Sequence, residues 1–322
     1  MKKPAILSIG NYFRSKKTNI NVWHSMAENL AARGWDVITT SKKINRAIRF
    51  LDMVWSIIRY REEYDLAQVD IFSGKSFIWA QVCVFLLKFM QKPVVLTLHG
   101  GRLPEFAEKN PERVRRTLNR ADIVISPSPY HQVALKKYRG DIRLIPNPVN
   151  LSVAIYEKRD NSKPYMIWVR AFHEIYNPSM AIRVVNELMR DYSDLKLMMV
   201  GPDKGDGSLQ NVLDLIETLG LQKHIEIVGA VPHFEIPQYL NKADIFLNTS
   251  QYDTAPRSVL EAMANGLCVV STDVGGIPWI IEDGKEGLLV SVNNDEEMVR
   301  AVKQILSDHE LAGRLSENAR HQ

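Results

Sequence analysis

Cysteine is scarce in this chain. There are two in 322 residues, Cys83 and Cys268, each inside an apolar run. A disulfide framework and a cysteine zinc site are therefore unsupported, and two buried free thiols are expected. Long apolar runs are missing too. The longest, residues 77–90, is broken by Gln81 and Lys88. That falls short of the roughly 18 uninterrupted apolar residues of a membrane-spanning helix. The opening MKKPAILSIG has too short an apolar run for a signal peptide and fits a first β-strand. Neither G-x-G-x-x-G nor G-x-x-x-x-G-K-[ST] occurs. This removes the fingerprint of a nicotinamide-dependent oxidoreductase and that of a P-loop. No Asp-x-Asp pair occurs either, so the short carboxylate motif of metal-held diphosphates is absent. There is no short repeat and no low-complexity tract.

What is present is an ordinary globular composition, 45% hydrophobic and 24% charged, in a chain long enough for two domains with full cores. The formal charge of +4 hides an asymmetry. Residues 1–150 carry 25 Lys and Arg against 12 Asp and Glu, a net of +13. Residues 151–322 carry 16 against 25, a net of −9. Two explanations stay open. One face meets an anionic surface, such as an acidic membrane leaflet, nucleic acid or an anionic acceptor, or two solvated surfaces attract each other.

Short apolar runs alternate with helical patterns throughout. In the first half they cover 5–9, 36–40, 66–71, 94–99, 122–126 and 142–146. In the second they cover 165–169, 195–200, 225–229, 244–248, 268–272 and 287–290. Such runs separated by helices predict parallel sheets with βαβ crossovers. Two sets of about six strands predict an α/β chain of two Rossmann-like, doubly wound domains, 1–156 and 157–322, facing across a cleft. The polar EKRDNSKP at 157–164 reads as the linker. Ligands in such sheets bind beyond the carboxyl ends of the strands, so the loops after strands carry the information.

Several loops stand out. His99-Gly100-Gly101 ends the run VVLTL. Its glycines let backbone approach a ligand, and its imidazole can donate a hydrogen bond or hold a proton. A plain turn is the alternative. Arg170 follows YMIWV, where a guanidinium suits bidentate phosphate binding, unless it is a surface cation. The densest signal runs from Ala243 to Val290. There a strand, a loop at 250–254 and a helix opening at Pro256 together make an anion site, because first-turn N–H groups are unpaired. The N–H groups around Ser258 and Val259 can face a diphosphate, and Glu261 can hold two vicinal ribose hydroxyls. Asp253 sits at the loop tip. The bland reading of this carboxylate pair is a solvated acid beside a helix cap. Gly275 and Gly276 are expected to open a further helix, and the glycine-rich stretch 201–207 reads as a flexible turn near the ligand.

Residues 44–61 read as a helix with membrane-surface character. Ile44, Ile48, Leu51, Trp55 and Ile58 share one face, with Lys43, Arg46, Arg49, Arg59 and Arg61 around it. An ordinary core-packed helix is the alternative.

On these residues the chain resembles the retaining glycosyltransferases of family 4, of GT-B fold, over essentially its whole length and most strongly at 200–290. The family's paired acids fall on Asp253 and Glu261, its histidine on His99, and its diphosphate-binding arginine on Arg170. Residues 147–150, ending at Asn150, match the turn before the family's linker, and the loop at 229–232, with Val231 and Pro232, matches where the nucleotide base is held. The resemblance implies transfer of a sugar from a nucleotide-diphosphate donor to a glycan or lipid-linked acceptor, in polysaccharide or cell-envelope glycan synthesis. His99, Asp253 and Arg170 would serve catalysis. Gly100, Gly101, Thr254, Ala255, Pro256, Arg257, Ser258, Val259, Glu261, Val231 and Pro232 would join Arg170 around the donor. No metal and no cofactor are implied. The location implied is the cytoplasm, with peripheral contact to an anionic membrane face and no nucleic-acid partner.

The chain also departs from the pattern. The glycine pair after the first strand is replaced in the stretch 11–19. The lysine about five residues beyond the arginine is replaced in Ile175-Tyr176-Asn177, the first acid is Asp, and Trp279 stands where Glu is common. The chain ends at Gln322, before the family's last crossing helix. Arg257, Lys16 or Lys17 are candidates to replace the lysine. The competing expectation is a catalytically impaired sugar-nucleotide-binding or scaffold protein of the same fold.

Overall fold

The computed structural model describes residues 3–12, 22–149 and 151–322. Lys16, Lys17 and Asn150 lie outside the described residues. The chain divides into two compact units that part between Asn147 and Pro148.

In the first unit the order is β1 (Ile6–Ile9), α1 (Val22–Ala32), β2 (Val37–Thr40), α2 (Arg46–Arg59), β3 (Leu66–Ile71) and α3 (Phe77–Phe89). There follow β4 (Val94–Leu98), α4 (Leu103–Lys109), α5 (Pro111–Arg120), β5 (Ile123–Ser126), α6 (Pro129–Leu135) and β6 (Arg143–Leu144). The strands form one parallel sheet in the order β2-β1-β3-β4-β5-β6. The order reverses between β1 and β3. The core packs Leu7, Val69, Leu96 and Val124 of the strands against Met53, Ile57, Val84 and Leu87 of the helices.

The second unit holds β7 (Tyr165–Val169), α7 (Pro178–Leu188), β8 (Lys196–Val200), α8 (Ser208–Thr218), β9 (Ile225–Gly229) and α9 (Ile236–Leu240). There follow β10 (Ile245–Asn248), α10 (Arg257–Ala264), β11 (Cys268–Thr272), β12 (Leu288–Val290), α11 (Asp295–Ser307) and α12 (His309–His321). The parallel sheet runs β12-β11-β10-β7-β8-β9, reversing between β7 and β10. Successive strand residues point to opposite faces, so Trp168 and Leu247 join one core and Ile167 and Phe246 the other. Helices therefore cover both faces, which is the doubly wound arrangement the alternating pattern predicts.

Local chemistry explains the element ends. Asn45 caps α2, its Oδ1 accepting from the Ala47 and Ile48 N–H groups at 3.0 and 3.2 Å. Pro178 opens α7, where its missing N–H costs nothing. Two expectations are corrected. The run 142–146 pairs only over Arg143–Leu144, because Pro146 has no N–H to extend an edge strand. Gly275-Gly276 leads into a single 3-10 turn, Ile277–Trp279, not a helix. The chain turns back through the Asp283–Gly287 bridge to reach β12 and leaves no length for more. Both cysteines are buried and free, as expected. Burial pushes each thiol up to about 12.

Candidate functional site

In the second unit the strand order reverses between β7 and β10, and the loops leaving those two strands carry the predicted residues. Arg170 leaves β7. Gly201, at φ +151°, brings the end of β8 against it, and a Cβ there would lie 1.7 Å from the Arg170 carbonyl oxygen. Arg170 donates through Nη2 to Asp253 Oδ2 in an almost fully buried ion pair. On another side its guanidinium lies 4.9 Å from the centre of the Tyr176 ring. Tyr176 thus supports the arginine from the stretch where the family's lysine is replaced. A brace holds the stack. Trp168 Nε1 donates to Thr249 Oγ1 at 2.9 Å, and Thr249 donates to the Tyr176 carbonyl at 2.7 Å. Burial raises the Asp253 carboxyl above its ordinary value, while Arg170 and the Thr254 N–H pull the other way.

Pro256 stands just before α10 rather than in its first turn. One turn in, Glu261 Oε1 accepts from His233 Nε2 at 2.7 Å. Arg257 Nε lies 2.7 Å from the same oxygen, an ion pair whose N–H points off the line. Arg257 Nη2 donates to His233 Nδ1 at 3.3 Å. With Nδ1 accepting, His233 carries its proton on Nε2 and donates it to Glu261. His233 begins the turn directly after Val231 and Pro232, so the loop at 229–232 reaches Glu261. The sequence reading missed His233. Its signal was an imidazole immediately after the strand-end loop at 229–232. Val259 belongs to the core by its side chain, and its N–H donates to the Pro256 carbonyl at 3.2 Å.

Among the described residues, six buried side-chain polar atoms have no hydrogen-bond partner. Four of them, Arg170 Nε, Thr254 Oγ1, Arg257 Nε and Ser258 Oγ, belong to this cluster. A buried orphan costs about 1–3 kcal/mol, and native folds leave few without a reason. Two cations, two hydroxyls and a helix N-terminus at one strand-order reversal are suited to an anion.

The other two orphans, Asp70 Oδ2 and His131 Nδ1, lie in the first unit around the H-G-G segment. His99 Nε2 is 2.9 Å from Asp70 Oδ1, and its ring stacks on Phe72 at 5.1 Å. Gly100, at φ +85°, turns its carbonyl onto His131 Nε2 at 3.0 Å. Gly101 offers its carbonyl to the Tyr130 hydroxyl at 3.5 Å. Asp70 and His131 were not anticipated. The available signal was Gln68 and Asp70 in alternate positions of LAQVDI, a strand that pairs on both edges and reads as otherwise apolar.

On α2 the predicted apolar face points outward. Leu51 is 63% and Trp55 58% exposed, with Ile44, Ile48 and Ile58 also exposed, while Met53 and Ile57 fill the core. Phe85 and Phe89 of the neighbouring α3 are exposed as well. The helix is thus core-packed through Met53 and Ile57, and the stripe read from the spacing is a second, outward one. Arg49 turns inward, donating to the Lys43 and Ile44 carbonyls and to Asn11 Oδ1. No helix of the described residues is long and apolar enough to cross a membrane.

Residues 156–322 match the family model of glycosyl transferases group 1, and residues 21–153 match that of glycosyltransferase family 4. The chain is 26% identical to spore coat protein SA of Bacillus subtilis over 167 residues, 50% of the chain and 44% of that protein. It thus spans less than half the length of this relative. It is 25% identical to alpha-monoglucosyldiacylglycerol synthase of Acholeplasma laidlawii over 318 residues, 89% of the chain and 77% of that protein. The crystal structure of Anabaena HepE in complex with UDP and glucose superposes with a TM-score of 0.78 at 18% identity, covering 99% of this chain and 94% of that one. The fold is therefore GT-B in class.

Proposed function

The chain belongs to the glycosyl transferases group 1 family, and on that premise we propose that it transfers a sugar from a nucleotide-diphosphate donor to a hydroxyl acceptor with retention of anomeric configuration. The observation that carries this reading is the set of unpartnered buried donors around Arg170, Thr254 and Ser258. In this reading Arg170, Arg257 and the start of α10 stabilise the leaving diphosphate, an electrostatic role that strengthens as charge develops. Arg257 takes the part of the absent lysine. Glu261, aligned by His233, holds the ribose, and the loop with Val231 and Pro232 borders the base. Asp253 contacts the donor sugar, and in the first unit His99 contacts a substrate sugar. The acceptor hydroxyl attacks from the face the diphosphate leaves, so no protein nucleophile takes part and the diphosphate can take up the acceptor's proton. With cationic side chains in place, the diphosphate needs no metal or cofactor.

A lipid-linked acceptor is favoured by the outward apolar face of α2 beside Arg46 and Arg59. This is the composition of a helix that lies in an anionic membrane interface. The named product of the Acholeplasma relative, a glucosylated diacylglycerol, supports the same class of acceptor. We place the chain accordingly in the cytoplasm, on the inner membrane face, in cell-envelope glycan or glycolipid synthesis.

Turnover tests this reading. The protein is incubated with nucleotide sugars and a bacterial lipid extract, and the product's anomeric proton is read by NMR. The expected product has the donor's anomeric configuration. An inverted product contradicts retention, and nucleotide release without a glycosylated product contradicts transfer.

A further inference from the structure

A chain of buried hydrogen bonds runs through the first sheet and ends on His99. Ser8 Oγ donates to Gln68 Oε1 at 2.5 Å. Gln68 Nε2 donates to Asp70 Oδ1 at 2.8 Å and to Thr97 Oγ1 at 2.9 Å. The opposite amide orientation would set Gln68 Oε1 against the carboxylate. The single proton of Ser8 is therefore committed to Gln68, and the Tyr12 hydroxyl, 2.6 Å away, must be the donor to Ser8. Burial raises the Tyr12 phenol above its ordinary value, which keeps that proton in place. Register assembles the chain, because Ser8 of β1 lies opposite Gln68 of β3, and Asp70 opposite Thr97 of β4. Gly10 makes room for it. A Cβ there would lie 2.3 Å from Asp70 Oδ2. Gly10 and Asp70 sit where the strand order of the first sheet reverses, the usual place for a ligand.

The relay from Tyr12 through Ser8 and Gln68 points toward Asp70, whose Oδ1 receives both Gln68 and His99. We propose that Asp70 is a positioning residue that fixes His99 as its Nε2–H tautomer and sets the ring's angle, so that the imidazole meets the substrate pre-oriented. The functional consequence rests on the reading of His99 as a sugar contact. The tautomer does not.

The test combines side-chain 15N NMR of the histidines with kinetics. At pH 8 wild-type His99 is expected to be protonated on Nε2 and bare on Nδ1. Asp70→Asn keeps an accepting oxygen and is expected to keep the tautomer and most of the turnover. Asp70→Ala is expected to mix the tautomers and to lower kcat by about tenfold to a hundredfold, the range for losing a hydrogen bond to a charged group. Affinity for UDP, which involves residues of the second unit, is expected to stay within about twofold in the same comparison. A wild-type His99 protonated on Nδ1 overturns the proposal even where Asp70→Ala fails to fold. So does an Asp70→Ala protein with wild-type tautomer and kcat. Absence of turnover in the wild type would count against the glycosyltransferase reading and leave the tautomer result to decide this one.

Discussion

His131 shows how single side chains at the site depend on burial. It is fully buried in α6, and its Nε2–H serves the Gly100 carbonyl. Burial, with a smaller effect of His99, pushes its imidazole down from 6.5 to about 4. The unfolded chain therefore binds a proton that the folded chain refuses between those values. Stability from this group is fully present above pH 6.5 and falls as pH drops toward 4. Between pH 7 and 5 the loss should be about 2 kcal/mol. Urea unfolding at the two pH values reads it, and His131→Gln, which keeps an N–H for Gly100, should flatten the difference. An unchanged slope in that variant would place the proton elsewhere. At this scale the sequence was only half legible. Arg170, Asp253 and Glu261 follow strand or helix landmarks and could be found by position. Asp70 and His233 carried only the faint local signals named above and His131 none, because their roles come from cross-strand register and loop return.

Elements were more legible. Strands in a parallel sheet are buried on both faces and read as short apolar runs, so β3, β7, β9 and β11 fall on the runs read from the sequence. Failures came where backbone chemistry overrode the run, at Pro146 and after Gly276. The α2 helix shows a different limit. Its spacing revealed an apolar face but not which way it looks, since Met53 and Ile57 on the other side form a second apolar stripe that the core takes. The outward stripe gives a prediction. The protein should sediment with anionic phospholipid vesicles and less with neutral ones, and added salt should weaken the association. Leu51→Glu with Trp55→Glu should abolish vesicle binding. Each change should move folding stability by no more than about 0.5 kcal/mol, as for exposed positions. Equal binding by the double variant would remove the face from the account.

At the scale of the whole molecule, unsatisfied buried polar atoms lie beside the point where strand order reverses in both sheets, Asp70 on β3 in one unit and the Arg170–Ser258 cluster after β7 and β10 in the other. The alternation of strands and helices predicted two doubly wound units but not their strand orders, which depend on pairing between distant segments. The basic first half and acidic second half were visible from composition, and the outward α2 face now adds an apolar surface to the basic half. The central claim, a nucleotide-diphosphate site around Arg170 and Glu261, is tested most directly by calorimetric titration of the intact protein with UDP, GDP and ADP. One of the three should bind, and Glu261→Ala should weaken it by about tenfold or more, the cost of a hydrogen bond to a charged group. No binding by any of them, or equal binding by the variant, would contradict the account.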